Sequence, residues 1–209
     1  MKIYYKRLSS FCDEEYNSAF SMMDDSRKAS VLRMRIKNDR RRSVLGELLA
    51  RIGISELVGC KKEDIDFTRT EKGKPLCTNK NAFFNVSHCG DIVVCAVDSQ
   101  NVGIDIERVR NVEMRITRIS CTDSDREFIF GKKEINLDDI VPTEEIFKKL
   151  FTVWTAKEAY FKYVGIGIVG LRTASYEEIR KNCITYFENG FMMSVYSENE
   201  NKDIEFKEL

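Results

Sequence analysis

The residues with the clearest chemical potential lie in one segment, Trp154–Gly167, which reads WTAKEAYFKYVGIG. At 3.6 residues per turn, one helix face here carries an aromatic residue near each end, with a carboxylate and two amines between them. These residues are Trp154, Lys157, Glu158, Phe161 and Lys162. Glu158 and Lys162 are four residues apart, so their side chains can meet. Two interpretations are open: a surface Glu–Lys pair beside buried aromatics, or an active-site wall that faces a polyanion.

A second group of carboxylates lies in the predicted strand Val102–Glu107, which reads VGIDIE. Strict alternation places Gly103, Asp105 and Glu107 on one face of this strand. The two like charges repel, so solvent, a cation or a metal must compensate them. An exposed strand edge would produce the same pattern. If a metal is bound, ligands that are all oxygen favour Mg²⁺, which completes its shell with water and phosphate oxygens.

A run of cations precedes the apolar stripe of the first long predicted helix. Eight residues contribute to it: Arg27, Lys28, Arg33, Arg35, Lys37, Arg40, Arg41 and Arg42. The run is either a solvated helix face or an anion site for a phosphate or an acidic partner. The only histidine, His88, follows Ser87 at the edge of a predicted hairpin, where donors can reach a ligand. A lone histidine at a strand end is more often structural than catalytic.

Composition limits the class of protein. The chain has 209 residues, enough for one domain or two small ones. Lys and Arg together number 34, as do Asp and Glu, so no global charge attracts the chain to nucleic acid or membrane. Seven cysteines without a C-x-x-C pair indicate reduced thiols. With no apolar leader and no long apolar run, we expect a soluble, cytoplasmic protein.

The remaining pattern alternates short strands with helices. Long helices are predicted at 39–57 and 144–163, and Asn189-Gly190 predicts a hairpin turn. The polar segment 132–145 reads as an insertion or mobile loop. The spacing of Gly165, Gly167 and Gly170 fits G-x-G-x-x-G, but a dinucleotide site needs a strand before this motif, and here a helix precedes it. No nucleophile motif is present.

Four signals in fixed order resemble one family. They are GKP (Gly73–Pro75), FNVSH (Phe84–His88), VGIDIE and WTAKEAYFKYVGIG. Each is weak alone, but G-[IV]-D-[IV]-E followed some fifty residues later by W-x-x-K-E-A-x-x-K-x-x-G is specific. In this order and spacing the chain closely resembles the surfactin-type 4′-phosphopantetheinyl transferases, from about residue 3 to residue 170.

The resemblance implies an enzyme, a holo-[acyl-carrier-protein] synthase. Such an enzyme transfers the 4′-phosphopantetheine arm of coenzyme A to a serine of an apo acyl or peptidyl carrier protein and releases 3′,5′-ADP. It uses Mg²⁺ as cofactor and coenzyme A as co-substrate. The missing nucleophile is then explained, because the carrier supplies the serine.

The resemblance also implies roles for individual residues. Asp105, Glu107 and Glu158 match the metal ligands, and Glu158 also matches a proposed base for the serine proton. Lys162 matches a lysine that contacts the transferred phosphate, and Lys157 matches a further lysine of the catalytic motif. Five residues match positions that bind coenzyme A: Arg27, Arg42, Lys74, Ser87 and His88.

Two positions depart from the family pattern. A second cation near the 3′-phosphate is replaced by Ser30, so Lys28 or Arg33 would have to substitute for it. A glutamate usual after the D-x-E motif is replaced by Asp125, whose shorter side chain leaves a metal or base role in doubt.

The family fold is α/β (α+β), with two similar halves about a pseudo-twofold axis and the active site between them. Each half packs a small antiparallel sheet on a long helix. We therefore expect an N-terminal half at 1–100 that binds the nucleotide, and a C-terminal half at 101–209 that carries the metal and catalytic residues. Members of this type act as monomers. The alternatives are a catalytically silent carrier-binding module or a nucleic-acid-binding domain that uses the basic helix. The identity of the carrier stays open, and partner choice would lie in surface loops such as 108–145.

Overall fold

The chain forms two compact units. The computed structural model describes residues 1–132, 135–166, 170–200 and 203–209. The N-terminal unit contains residues 1–102 and the C-terminal strand, and the C-terminal unit extends from Gly103 to Glu200. The expected α/β class is confirmed in both units. The boundaries expected at 1–100 and 101–209 stay a prediction.

Two of the helices exceed twenty residues and provide the main packing surface of their unit. The α-helices of the described residues are α1 (Asp13–Ser21), α2 (Asp25–Leu32), α3 (Lys37–Val58), α4 (Thr117–Ser120), α5 (Asp123–Phe130), α6 (Glu144–Val164) and α7 (Tyr176–Ile179). The strands are β1 (Lys2–Arg7), β2 (Phe67–Arg69), β3 (Pro75–Cys77), β4 (Phe83–Cys89), β5 (Ile92–Asp98), β6 (Gly103–Arg108), β7 (Cys183–Glu188), β8 (Phe191–Tyr196) and β9 (Glu205–Glu208).

The N-terminal unit packs α3 on a four-stranded sheet of order β4-β5-β1-β9. The hairpin β4–β5 is antiparallel, and β1 continues the sheet antiparallel to β5. The apolar stripe of α3, which includes Leu45 and Leu49, is fully buried against β5 and β1, whose Val93 and Tyr4 belong to the same core. The C-terminal strand β9 pairs in parallel with β1 and so completes this sheet. The short hairpin β2–β3 forms a separate two-stranded sheet.

The C-terminal unit packs α6 on a three-stranded antiparallel sheet of order β6-β8-β7. Helix α6 begins where the Thr143 hydroxyl accepts a hydrogen bond from Ile146 N, and it ends at Gly165 in the left-handed conformation. The predicted Asn189-Gly190 turn joins β7 and β8, and both residues have positive φ, as this tight turn requires.

Two predicted features differ in detail. Trp154, predicted on the buried stripe of α6, is only half-buried. In the segment predicted as an insertion or loop, Leu137 is buried against Phe147 of α6. Residues 133–134 of that segment lie outside the described residues, as does Gly167 of the rejected glycine motif. Within the described ranges, no helix has both the length and the apolarity needed to cross a membrane.

Candidate active site

A close approach of β6 to α6 positions the carboxylates of the C-terminal unit. A Cβ added to Gly103 would lie 1.9 Å from the carbonyl oxygen of Ala159, so only glycine allows this contact. The face of β6 that carries Gly103 therefore points at α6. Because side chains alternate along a strand, Asp105 and Glu107 share this face. The sheet thus presents its two carboxylates to the helix that carries Glu158.

Asp105 and Lys162 form the central ion pair of this site. Lys162 Nζ lies 2.6 Å from Asp105 Oδ1 and also donates to the Ile104 carbonyl at 3.2 Å. The Asp105 carboxylate is nearly buried, whereas the Lys162 side chain keeps about a third of its surface exposed, 29%. Lys162 thus meets the strand carboxylate and not only Glu158 on its own helix, and its exposed portion leaves it accessible to a ligand.

Glu158 lies in a crowded, negatively charged position. The pKa of Glu158 is raised to about 7, mainly by burial and then by the charge of Asp105; Glu107 also raises this pKa, while Lys162 lowers it. Glu107 is half-buried and is paired with Arg110 at 3.2 Å. A carboxyl group with this pKa can exchange a proton near neutral pH.

The donor chemistry of the three carboxylates fits a hard divalent cation. Oxygen ligands suit Mg²⁺. Burial is the main cause of the raised pKa of Glu158, and the charges of Asp105 and Glu107, which raise it as well, are charges that a cation would offset. Within the part of the chain that the structure describes, no group of three His, Cys, Asp or Glu side chains is already arranged as a metal site. Lys162 contacts Oδ1 of Asp105, and a carboxylate has two oxygens through which it can coordinate a metal.

Lys157 occupies a different environment from its neighbour Glu158. Its side chain is 1% exposed, and its ammonium lies 2.6 Å from the fully buried Asp125 carboxylate. It also donates to the Ser120 carbonyl at 2.9 Å. Asp125 in turn accepts hydrogen bonds from the backbone of Thr122, which starts α5, and of Tyr176, which starts α7. This buried pair joins α5 and α7 to α6.

A cavity of about 840 Å³ lies in the N-terminal unit between α2, α3, β2 and β4. Asp24 caps α2 through a hydrogen bond from Arg27 N to its carboxylate, at 2.9 Å, and the Arg27 side chain reaches Glu47 of α3. Three of the residues expected to bind coenzyme A line this cavity, namely Arg27, Arg42 and His88. Lys74 and Ser87 are not among its lining residues. The Lys74 ammonium donates to the Asn101 side chain at 3.2 Å, and burial lowers the pKa of Lys74.

Glu47 of α3 holds two guanidinium groups in place, that of Arg27 in the cavity lining and that of Arg51. Its Oε2 accepts from Arg27 Nε at 3.0 Å, and its Oε1 accepts from Arg51 Nη2 at 3.0 Å. Arg27 Nη2 also donates to the Ser43 hydroxyl at 2.6 Å. Arg51 is buried and donates to the carbonyl oxygen of Ile65. The guanidinium of Arg27 is therefore fixed before any ligand arrives.

Several of the basic residues are paired with carboxylates in the same unit. Arg41 contacts Asp13 at 2.5 Å, and Arg42 contacts Asp39. Together with the Arg27–Glu47 contact, these pairs engage three of the eight residues of the basic run. They lower its net positive charge, whereas a nucleic-acid-binding domain presents a continuous cationic face.

Comparison with known proteins covers both units. Residues 10–100 match the family model described as 4′-phosphopantetheinyl transferase, N-terminal, and residues 101–205 match the 4′-phosphopantetheinyl transferase superfamily. The chain is 31% identical over 170 residues to the 4′-phosphopantetheinyl transferase Sfp of Bacillus subtilis (strain 168), which covers 80% of this chain and 72% of that protein. It is 28% identical over 184 residues to the 4′-phosphopantetheinyl transferase gsp of Aneurinibacillus migulanus, covering 83% of this chain and 73% of that protein.

These matches define the protein as a transferase enzyme built from two α/β units. The chain belongs to the 4′-phosphopantetheinyl transferase superfamily, which transfers 4′-phosphopantetheine from coenzyme A to carrier proteins. The resemblance expected from the sequence motifs is thereby confirmed.

Two features of the sites were not found by sequence reasoning. Arg69 of β2 lines the cavity of the N-terminal unit, yet it belongs to none of the family motifs. The partner of Lys157 was also missed, because Asp125 had been considered only as a metal ligand or base. Asp125 lies three residues after Thr122, and this capping-box spacing predicts its hydrogen bond to the Thr122 backbone but not its contact with Lys157.

Proposed function

We propose that Asp105, Glu107 and Glu158 hold Mg²⁺ while this enzyme transfers phosphopantetheine. The observation that carries the proposal is the close approach of β6 to α6 at Gly103, which turns the strand face of Asp105 and Glu107 toward the helix that carries Glu158. The charges of Asp105 and Glu107 add to burial in raising the pKa of Glu158. The bound ion would neutralise the pyrophosphate of coenzyme A as its diester bond breaks.

The nucleotide end of coenzyme A occupies the cavity of the N-terminal unit. Arg27 and Arg42 supply positive charge, and His88 supplies a ring nitrogen at the cavity wall. Because Glu47 already fixes the Arg27 guanidinium, little entropy is lost when it binds a phosphate. Lys74 and Ser87 keep their assignment to coenzyme A from the family motifs, outside the lining of this cavity.

The chemical step needs a proton acceptor and a fixed cation from the C-terminal unit. The carrier serine hydroxyl attacks the phosphorus next to the pantetheine, a new P–O bond forms, and the bond to 3′,5′-ADP breaks. Glu158 accepts the serine proton as the general base. Lys162 stabilises the charge that develops on the transferred phosphate.

Lys157 acts as a positioning residue. Its ammonium is buried on Asp125, away from solvent, so it orients the helical turn that carries Glu158. Asp125, at the position of the usual family glutamate, serves the same contact, which supports a structural role for it and not a role as metal ligand.

The partners are coenzyme A and apo acyl or peptidyl carrier proteins. The proposed enzyme is a monomer of the cytoplasm. All seven cysteines are free thiols, which supports a reducing compartment.

The test follows the mass of the carrier. The purified enzyme is incubated with coenzyme A, Mg²⁺ and several apo carrier proteins, and we expect a mass gain of one phosphopantetheine arm. A carrier whose acceptor serine is changed to alanine is the matched control and should gain nothing. No mass gain on any wild-type carrier would contradict the proposal, and would favour a silent carrier-binding module if the carriers still bind.

A further inference from the structure

A buried hydroxyl contact joins α6 to β8 in the C-terminal unit. Thr155 Oγ1 and Ser194 Oγ lie 2.7 Å apart, and both residues are 0% exposed. Ser194 Oγ also lies 2.9 Å from Thr185 Oγ1 of β7. The three hydroxyl groups form a chain that runs from the sheet to the helix, and none of them takes part in the transfer step proposed above.

The protons of this hydroxyl chain can run in only one direction. The Thr155 hydroxyl donates to the Phe151 carbonyl at 2.8 Å. Because a hydroxyl group has a single proton, Thr155 can only accept from Ser194. Ser194 must then accept from Thr185, since its own proton is already used. The single donor of Ser194 is therefore directed at α6.

This direction specifies one register of α6 on the sheet. A shift of the helix by one residue would place Trp154 or Ala156 opposite Ser194, and neither side chain has an oxygen that can accept its proton. A buried hydroxyl that lacks an acceptor is costly. The bond to the Phe151 carbonyl also fixes the rotamer of Thr155, whose branched side chain has few alternatives in a helix.

One cross-strand pair of residues holds α6 on both sides of Glu158. Ser194 is the Cα partner of Asp105 in the antiparallel β6–β8 ladder, so their side chains lie next to each other on the face that α6 covers. Thr155, three residues before Glu158, contacts Ser194. Lys162, four residues after Glu158, contacts Asp105 at 2.6 Å. Because the Lys162 side chain is long, flexible and partly exposed, the buried hydroxyl contact is the more rigid of the two.

We propose that Thr155 and Ser194 are positioning residues for the transfer reaction, because their contact fixes the place of Glu158 relative to Asp105. The inference rests on the proposed function, in which these two carboxylates hold Mg²⁺. Without the contact, Glu158 moves with α6 while Asp105 stays on β6. Loss of a group that orients a metal ligand weakens both metal binding and activity.

The test compares two substitutions of the same chemical kind on α6. Thr155→Val removes the hydroxyl that accepts from Ser194 and keeps the shape of the side chain. Thr152→Val is the matched control, because Thr152 lies about one turn earlier on the same helix. Its hydroxyl contacts the Met192 sulfur of β8 at 3.6 Å, and a thioether is a weak acceptor.

Two measurements are made on each variant. Carrier modification, followed by mass, gives kcat and the KM for coenzyme A. Binding of Mn²⁺ alone to the purified protein is measured by electron paramagnetic resonance of the free ion. We expect Thr155→Val to lower kcat and the Mn²⁺ affinity by ~10-fold or more each, the scale for residues that orient metal ligands. The KM for coenzyme A should change far less, because the nucleotide end binds in the N-terminal unit. Thr152→Val should leave all three quantities unchanged.

Further variants separate positioning from loss of the fold. Thr155→Ser keeps the hydroxyl and should have a kcat and an Mn²⁺ affinity near those of the wild type. Ser194→Ala removes the donor instead of the acceptor and should have the same effect as Thr155→Val, so it provides the test if Thr155→Val does not fold. In the double variant the two losses should not add, since both changes remove one contact. Thermal unfolding verifies that each variant is folded.

Two results would overturn the inference. A lower Tm in Thr155→Val with unchanged kcat and Mn²⁺ affinity would show that the contact serves stability alone. Additive losses of kcat in the double variant would show that Thr155 and Ser194 act separately. Absence of both Mn²⁺ binding and transfer in the wild type would instead contradict the proposed function itself.

Discussion

Replacing Asp125 with asparagine should strongly destabilise the C-terminal unit. The Asp125–Lys157 pair is 0% and 1% exposed, so solvent cannot compensate the ammonium that remains. After the change, the Ser120 carbonyl is the only remaining acceptor among the contacts of Lys157 described above. Breaking one partner of a buried pair costs ~3–5 kcal/mol, which is a large part of the stability of an ordinary domain.

The assay uses the only tryptophan of the chain as a local reporter. Trp154 lies on α6, one turn before Lys157, so its fluorescence during urea unfolding follows the C-terminal unit. The double variant Asp125→Asn/Lys157→Met removes the buried ammonium together with the carboxylate. It should recover most of the unfolding free energy that Asp125→Asn loses. The matched control is Asp138→Asn, which breaks an exposed ion pair with Arg115 in the same unit and should leave the midpoint unchanged.

Two outcomes would refute this reasoning. A loss of less than ~1 kcal/mol in the free energy of unfolding of Asp125→Asn would show that the pair contributes no more than an exposed salt bridge. Additive losses in the double variant would show that Asp125 and Lys157 do not depend on each other. In either case the positioning role of Lys157 would fail, and a direct catalytic role would regain support.

Four further predictions concern the β6–α6 contact and its charges. Gly103→Ala should separate α6 from β6, because the new Cβ would meet the Ala159 carbonyl at 1.9 Å; an unchanged urea midpoint of Trp154 fluorescence would contradict this. Glu158→Gln should raise Tm at pH 8 in the presence of a chelator. The folded pKa of about 7 exceeds the ordinary value of 4.5, so the wild type loses stability as pH rises from about 4.5 to 7. The gain in Tm should vanish near pH 4.5. A gain in Tm that does not depend on pH would show that it does not come from the titration of Glu158. Asp105→Ala should abolish transfer to the carrier while the circular dichroism spectrum stays native, and full activity in this variant would exclude Asp105 from the site. Lys162→Ala should mainly lower kcat, and an unchanged kcat would exclude Lys162 from the site.

Local sequence determined the elements that carry the site. The alternation in VGIDIE predicted one strand face with both carboxylates, and β6 has that face against α6. The helix predicted at 144–163 corresponds to α6, and Asn189-Gly190 predicted the hairpin of β7 and β8. These signals are readable because strand alternation, helix caps and tight turns depend on residues only a few positions apart.

Only the tertiary structure decided which side chains meet. The sequence placed Lys157 and Glu158 side by side in one motif, but the fold buries Lys157 on Asp125 and leaves Glu158 beside Asp105. It also brings Arg69 into a cavity with Arg27, and it joins β9 to β1 from the opposite end of the chain. Such contacts depend on how distant segments pack, and periodicity along the chain carries no information about the partner that each exposed or buried face will find.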